Sequence, residues 1–323
     1  MAVFANPVDD NGAWQKITSP IPQPGARYNS ATNSAVYASS INSMVFFGGY
    51  DLITFQSDAW KLDLATLQWS PLPSSSPGPP GRVSQTAVYD AAHDRMVLYG
   101  GFSAGYVEFQ DLWTYEFQTG GWVEIPQTST KPGDRGWASA IYNPRDTTML
   151  LFGGQDLDGN FFNDIWILDL NQMTWRQIPP TSGWPDTRIN PILVLDEMTN
   201  TVWMFGGFHR PGDFNFQELW SLDLNTFQWT QRPIGSPAPS ARDNAPAFFD
   251  TISRSIVIFG GSDVNNNRAL NDLWAYSVDG GSWRQLNASG EIPAPRRASP
   301  SAFVPSQNRL VLFGGIGLPN LTV

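Results

Sequence analysis

The chain contains no cysteine and only two histidines among 323 residues. The missing cysteines exclude disulfides, thiolate metal sites and a cysteine nucleophile, but they say nothing about compartment. Charged residues make up 15%, and the 29 acidic side chains outnumber the 19 basic ones, which gives a net charge of −10. Such a balance opposes a sequence-independent grip on phosphate backbones or on anionic membranes, so neither nucleic acid nor a membrane surface is expected as a partner. No apolar run approaches the roughly 20 residues of a membrane span. Met1 to Asp10 has neither a basic n-region nor an apolar h-region, so no signal peptide is read there and a soluble, cytoplasmic protein is favoured. No zinc-ligand spacing, phosphate-cradling glycine loop or nucleophile elbow occurs, and no cofactor is expected.

What is present is aromatic, glycine-rich and periodic. Hydrophobic residues make up 41% and aromatics 13%, enough to build a large core, while 29 glycines and 26 prolines punctuate short apolar runs. That pattern belongs to strands and turns. A Gly-Gly doublet ends six of the apolar runs, at Gly48, Gly100, Gly153, Gly206, Gly260 and Gly314, each behind a Phe or Tyr. Successive doublets stand 52, 53, 53, 54 and 54 residues apart. A period near 53 with this ending predicts propeller blades, so residues 1–323 are read as one domain.

The second repeat serves as a template. Ser84 to Asp90 reads as an inner strand, Arg95 to Gly101 as a second, Asp111 to Phe117 as a third and Trp122 to Pro126 as a fourth. Five tryptophan pairs spaced nine apart mark the third and fourth strands: Trp60/Trp69, Trp113/Trp122, Trp166/Trp175, Trp220/Trp229 and Trp274/Trp283. Large rings on adjacent strands suit packing between neighbouring sheets. The last repeat stops after its doublet, and Val3 to Val8 with Trp14 to Ile17 aligns with the two strands it lacks. A ring of six four-stranded blades is therefore expected, its closing blade drawn from residues 2–18 and 296–318. Truncation at either end should unfold it.

The string of Arg, inner strand, apolar strand ending Phe-Gly-Gly, Asp-Leu-Trp and a second Trp resembles the kelch repeat over essentially the whole chain. The resemblance implies an all-β, six-bladed kelch-type β-propeller in the wider galactose oxidase superfamily, whose members include protein-binding modules, lectins and a few enzymes. It also implies exclusions. Copper radical oxidases need a cysteine crosslinked to tyrosine, and plant specifier proteins carry a Glu, Asp and His set for iron; neither is found here. Sialic acid mutarotases need only acid-base groups and an anion-binding arginine.

Loops between second and third strands, and linkers between blades, share one face and are the long, variable segments. The site is expected there, as it is in kelch-like proteins generally. Arg82, Arg135, Arg188, Arg242 and Arg296 each stand 18 residues before a doublet, while the first repeat has Ser30 at that offset and Arg27 three residues earlier. A ring of arginines could receive anionic groups through bidentate contacts, or it could serve the repeat itself. Residues outside the repeat pattern are the sharper candidates: Trp137 and Trp184 for stacking, with Tyr50, Asp51, Tyr106, Glu108, Gln155, Asp156, Asp263 and Arg210 in the same loops. His209 could act as acid or base, oriented by Asp213 or Asp243. The leading expectation is a monomeric recognition module for a protein segment, a glycan, or a small anionic or aromatic ligand. A cofactor-independent isomerase, mutarotase or cyclase is the alternative, and a structural part of a larger assembly is a third.

Overall fold

The computed structural model describes residues 2–5, 13–18, 22–29, 31, 34–127 and 130–317. Five antiparallel four-stranded sheets follow one another along the chain. The first comprises Ala35–Ala38, Ser43–Phe47, Ala59–Asp63 and Trp69–Pro71. The second comprises Thr86–Asp90, Arg95–Tyr99, Leu112–Glu116 and Gly121–Ile125. The third runs through Ser139–Asn143, Thr148–Phe152, Ile165–Asp169 and Thr174–Ile178, and the fourth through Ile192–Asp196, Thr201–Phe205, Leu219–Asp223 and Gln228–Arg232. The fifth has Ala247–Asp250, Ser255–Asp263, Arg268–Ser277 and Ser282–Leu286.

The remaining sheet is composite. Ala2–Ala5 pairs with Arg309–Phe313 on one side and Ala13–Ile17 on the other, Ser301–Val304 forms the inner edge, and Ser289–Gly290 adds a parallel strand outside Ala13–Ile17. The expectation of six equivalent four-stranded blades is therefore corrected. Five blades are four-stranded, and the strands from the two ends of the chain make a mixed sheet of five. The expected Val3–Val8 strand is seen as Ala2–Ala5, and residues 6–12 lie outside the described residues.

Burial explains why the second strands read as continuous apolar runs. Each lies inside a blade whose two faces meet neighbouring blades, so Thr148–Phe152 and Arg309–Phe313 are buried along nearly their whole length. Fourth strands form the outer rim and are more exposed: in Thr174–Ile178 only Trp175 and Ile178 are buried, three residues apart and so on opposite faces, Trp175 in the core shared with the second blade and Ile178 in the core shared with the fourth. The aromatic before each doublet meets the fourth-strand Trp of the next sheet: Phe47 with Trp122 at 5.0 Å between ring centroids, Tyr99 with Trp175 at 5.1 Å, Phe152 with Trp229 at 5.3 Å and Phe205 with Trp283 at 5.2 Å. Phe259 with Trp14 at 4.4 Å and Phe313 with Trp69 at 5.0 Å continue the series through the composite sheet.

The doublets tighten the same joints. Gly206 has φ +67° and its amide neighbour Gly207 donates to the Arg242 carbonyl of the next blade at 2.9 Å. A Cβ on Gly206 would stand 2.1 Å from that carbonyl oxygen, so both the backbone angle and the space demand glycine.

Candidate functional site

The repeated arginines are part of the scaffold. Arg82 is fully buried; its Nε donates to the Pro80 carbonyl, one Nη to the Gly100 carbonyl at 3.0 Å, and the fork grips both oxygens of Asp111. Asp111 also accepts the Trp113 indole N–H at 2.7 Å. Arg135 with Asp164 and Trp166, Arg188 with Glu218 and Trp220, and Arg242 with Asp272 and Trp274 repeat the arrangement. Three guanidiniums lie over phenyl rings, Arg82 over Phe109 at 3.8 Å, Arg135 over Phe162 at 4.1 Å and Arg188 over Phe216 at 3.9 Å. Arg27 takes this place in the first blade with Asp58 and Trp60, and Ser30 lies outside the described residues. The expected anion-receiving ring thus gives way to the structural reading, because the donors that would hold a ligand are already engaged.

Arg296 departs from the set. It reaches the Ala294 and Gly314 carbonyls at 2.9 Å each but has no carboxylate partner among the described residues.

Just beyond the arginines a belt of backbone bonds circles the axis on the long-loop side. Asn29 N–H donates to the Ala298 carbonyl, Ala298 to Asn244, Asn244 to Asn190, Asn190 to Trp137 and Trp137 to Ser84, while the Ser84 N–H closes the circle on Asn29 Oδ1. Inside it, Asp243 is 3% exposed, and Asp243 Oδ1, Asn190 Oδ1 and Arg297 Nε have no hydrogen-bond partner among the described residues. Burial pushes the Asp243 carboxyl up to about 6, against the opposing pull of Arg297 and a hydrogen bond from Asn190. Sequence reasoning missed Arg297. The position after each repeated arginine is Tyr28, Val83, Gly136, Ile189, Asp243 and Arg297, and its variability was the available signal.

The catalytic trio is not assembled. His209 Nδ1 meets the Thr187 carbonyl at 3.0 Å, and its ring packs against Phe214 and Phe216. Asp213 is an exposed left-handed residue closing a 3-10 turn, and Asp243 is buried, its carboxylate beside Asn190. No hydrogen bond or ion pair joins the three among the described residues. Arg210 is exposed in the same turn. Trp184 is half-buried, bonded to Thr181 Oγ1 and packed on the core between the third and fourth blades, which is loop packing. Tyr50 bridges Tyr28 and stacks near Phe55 at 4.7 Å. Gln155 is buried, bridging Gly136 and Phe161, and Asp263 caps a turn and pairs with Arg268.

Trp137 fares differently. Its φ of 57° turns it out of the belt onto Phe102, 4.4 Å away, and together with Phe55, Tyr106 and Leu157 it lines a cavity of about 320 Å³ on the long-loop face. Tyr106 is 90% exposed and Ile53 84%. Carboxylates crowd the rim. Glu108 accepts the Leu157 amide, and its carboxyl is raised by burial and then by Asp134, Asp156 and Asp158. Asp156 is braced by Asn160, and Asp51 is lowered by the Thr54 and Ile53 amides it accepts. A polar groove lined by Glu108, Asp111, Glu124, Lys131 and Asp134 adjoins this rim.

A second cavity, about 470 Å³, opens elsewhere. It follows the axis between the inner strands and reaches the short-turn face at Ser39, Ala91, Pro144 and Pro305, opposite the expected mouth.

The radial sheets, doublets and Arg–carboxylate–Trp units define a kelch-type β-propeller. Residues 7–188 and 145–320 match the family model of the KLHDC2/KLHL20/DRC7 Kelch-repeats domain, and the chain belongs to that family. It is similar to Kelch domain-containing protein 3 of Bos taurus, 28% identical over 288 residues spanning 83% of this chain and 73% of that protein. The Homo sapiens protein of the same name is 27% identical with the same coverage. Host cell factor of Drosophila melanogaster is 26% identical over 240 residues, 68% of this chain and 15% of that protein.

Proposed function

We propose that the chain is a recognition module that takes up a segment of another protein on its long-loop face, with the composite sheet acting as the sixth blade of one propeller domain. The observation that carries this reading is where apolar surface is left uncovered. Of the ten exposed large hydrophobic residues among those described, six (Leu52, Ile53, Tyr106, Val107, Leu157 and Phe214) stand in the loops between second and third strands. Concentrated apolar exposure beside a pocket, rimmed by polar groups, is the signature of a protein-binding surface. The pocket formed by Phe102, Tyr106, Trp137 and Leu157 suits one apolar anchor side chain. The Glu108, Asp134, Asp156 and Asp158 carboxylates suit lysine or arginine beside that anchor.

Selection from a displayed random peptide library against the full chain tests this. Enriched peptides should pair an aromatic or branched apolar residue with neighbouring basic residues, and Tyr106→Ser with Leu157→Ser should weaken them at least about tenfold. Failure to enrich any sequence, or enriched peptides indifferent to that pair of changes, would rule the reading out.

A further inference from the structure

The axial cavity on the short-turn face is independent of that surface, and its walls carry a chemistry of their own. Tyr37, Tyr89 and Tyr142 all stand 11 residues before the first glycine of their doublets, on the inner strands of three consecutive blades, and all three line the cavity. Phe303, at the same offset in the composite sheet, adds a fourth ring, and Leu195 stands there in the fourth blade. Two of the three hydroxyls bond into the adjoining turns, and that of Tyr142 meets the Ala91 and Ala92 backbone of the preceding blade. Tyr37 donates to Asn42 Oδ1 at 3.2 Å and Tyr89 to Asp94 Oδ1 at 2.8 Å. The apolar bodies of the rings are thereby left as wall, while the hydroxyl bonds fix their orientation.

Among the lining residues only Glu197 carries a charge, and it has no ion pair among the described residues. Of the nearby cations two are engaged, while Arg145, exposed beside the lining Pro144, makes no ion pair among the described residues. Arg95 holds Asp90, and Arg254 holds Asp196 and Asp279. A cavity of about 470 Å³ lies within the usual range for small-molecule sites. Aromatic faces carry negative charge density and attract ammonium groups, most strongly where water is excluded. We infer that this cavity binds an organic cation with an apolar body, its ammonium group over the tyrosine rings and toward Glu197.

Ligand-observed saturation-transfer NMR on the full chain tests this with two probes of the same shape, benzyltrimethylammonium and its uncharged carbon analogue neopentylbenzene. The cation should bind and the neutral analogue should bind at least about fivefold more weakly, in line with the worth of a cation–π contact. Glu197→Gln, an exposed change that leaves the core intact, should weaken the cation about three- to tenfold without altering the analogue. Tyr89→Leu should do likewise, whereas Tyr89→Phe, which keeps the ring and loses the bond to Asp94, should retain binding. Tyr106→Ser, on the opposite face, should leave the cation signal unchanged, separating this site from the peptide surface. Absence of binding by the cation, equal binding of both probes, or a cation affinity untouched by Glu197→Gln would each overturn the proposal.

Discussion

Arg82 and Asp111 face each other as a fork on a fork, Nη1 to Oδ1 at 2.5 Å and Nη2 to Oδ2 at 2.8 Å, with the arginine side chain at 0% exposure and the aspartate at 20%. Removing one partner leaves the other buried and unpaired. Asp111→Ala is therefore expected to lower the unfolding free energy by about 3–5 kcal/mol, and the double change Arg82→Met with Asp111→Ala by less than the sum of the singles. Urea unfolding of the four proteins checks it. Additive losses would mean that the pair is not the coupling unit.

Gly206 tests the joint between blades. Gly206→Ala sets a methyl 2.1 Å from the Arg242 carbonyl oxygen at φ +67°, where a non-glycine residue is already strained. A loss of more than about 2 kcal/mol is expected, against about 0.5 kcal/mol or less for Gly133→Ala, where a Cβ meets nothing within 4 Å. Similar melting temperatures for the two variants would contradict the packing described.

These two sites show what a sequence can and cannot reveal in a repeat fold. Doublets, tryptophan pairs and arginines were legible because each recurs at a fixed step. The partner of each arginine was not, since Arg82 and Asp111 lie 29 residues apart and meet only after the doublet has turned the chain. Arg27 broke the count in the first repeat yet reaches the same kind of partners, Asp58 and the Gly48 carbonyl, so the offset was less constant than the chemistry. His209 drew attention by rarity, but rarity carries no geometry. Its neighbours are a carbonyl and two phenyl rings. The belt was not legible either: Asn29, Ser84, Trp137, Asn190, Asn244 and Ala298 each stand two places after the arginine of their repeat, but their identities vary and the bonds that join them run between blades.

Asp243 predicts a pH dependence. Its carboxyl, raised from 3.8 to about 6 first by burial, holds its proton more tightly in the folded chain than in the unfolded one. Its contribution to stability is therefore fully present below about pH 4 and is lost as pH rises through about 6. By neutral pH the loss amounts to roughly 2–3 kcal/mol. Asp243→Asn removes the ionisation and should raise the urea midpoint at pH 7.5 while changing it little at pH 4. A difference between variant and parent that is the same at both pH values would refute this account.

Trp14 and Phe259, 4.4 Å apart, offer a test of how firmly the composite sheet is joined to the fifth blade. Trp14 is 2% exposed, packed among Phe248, Phe259, Leu286 and Leu312, so it joins strands from the two ends of the chain to the fifth blade. Trp175 holds the equivalent joint, on Tyr99, wholly within continuous blades. If the composite sheet carries load as a blade, Trp14→Ala should cost about 3–5 kcal/mol, as much as Trp175→Ala, and unfolding should remain a single transition. If the two ends only drape over an otherwise stable array, Trp14→Ala should cost far less, and hydrogen exchange should open Ala13–Ile17 and Arg309–Phe313 well before Thr148–Phe152. The unbroken series of aromatic joints through Phe259–Trp14 and Phe313–Trp69 leads to the first outcome, because a gap at either would expose two adjacent cores to water.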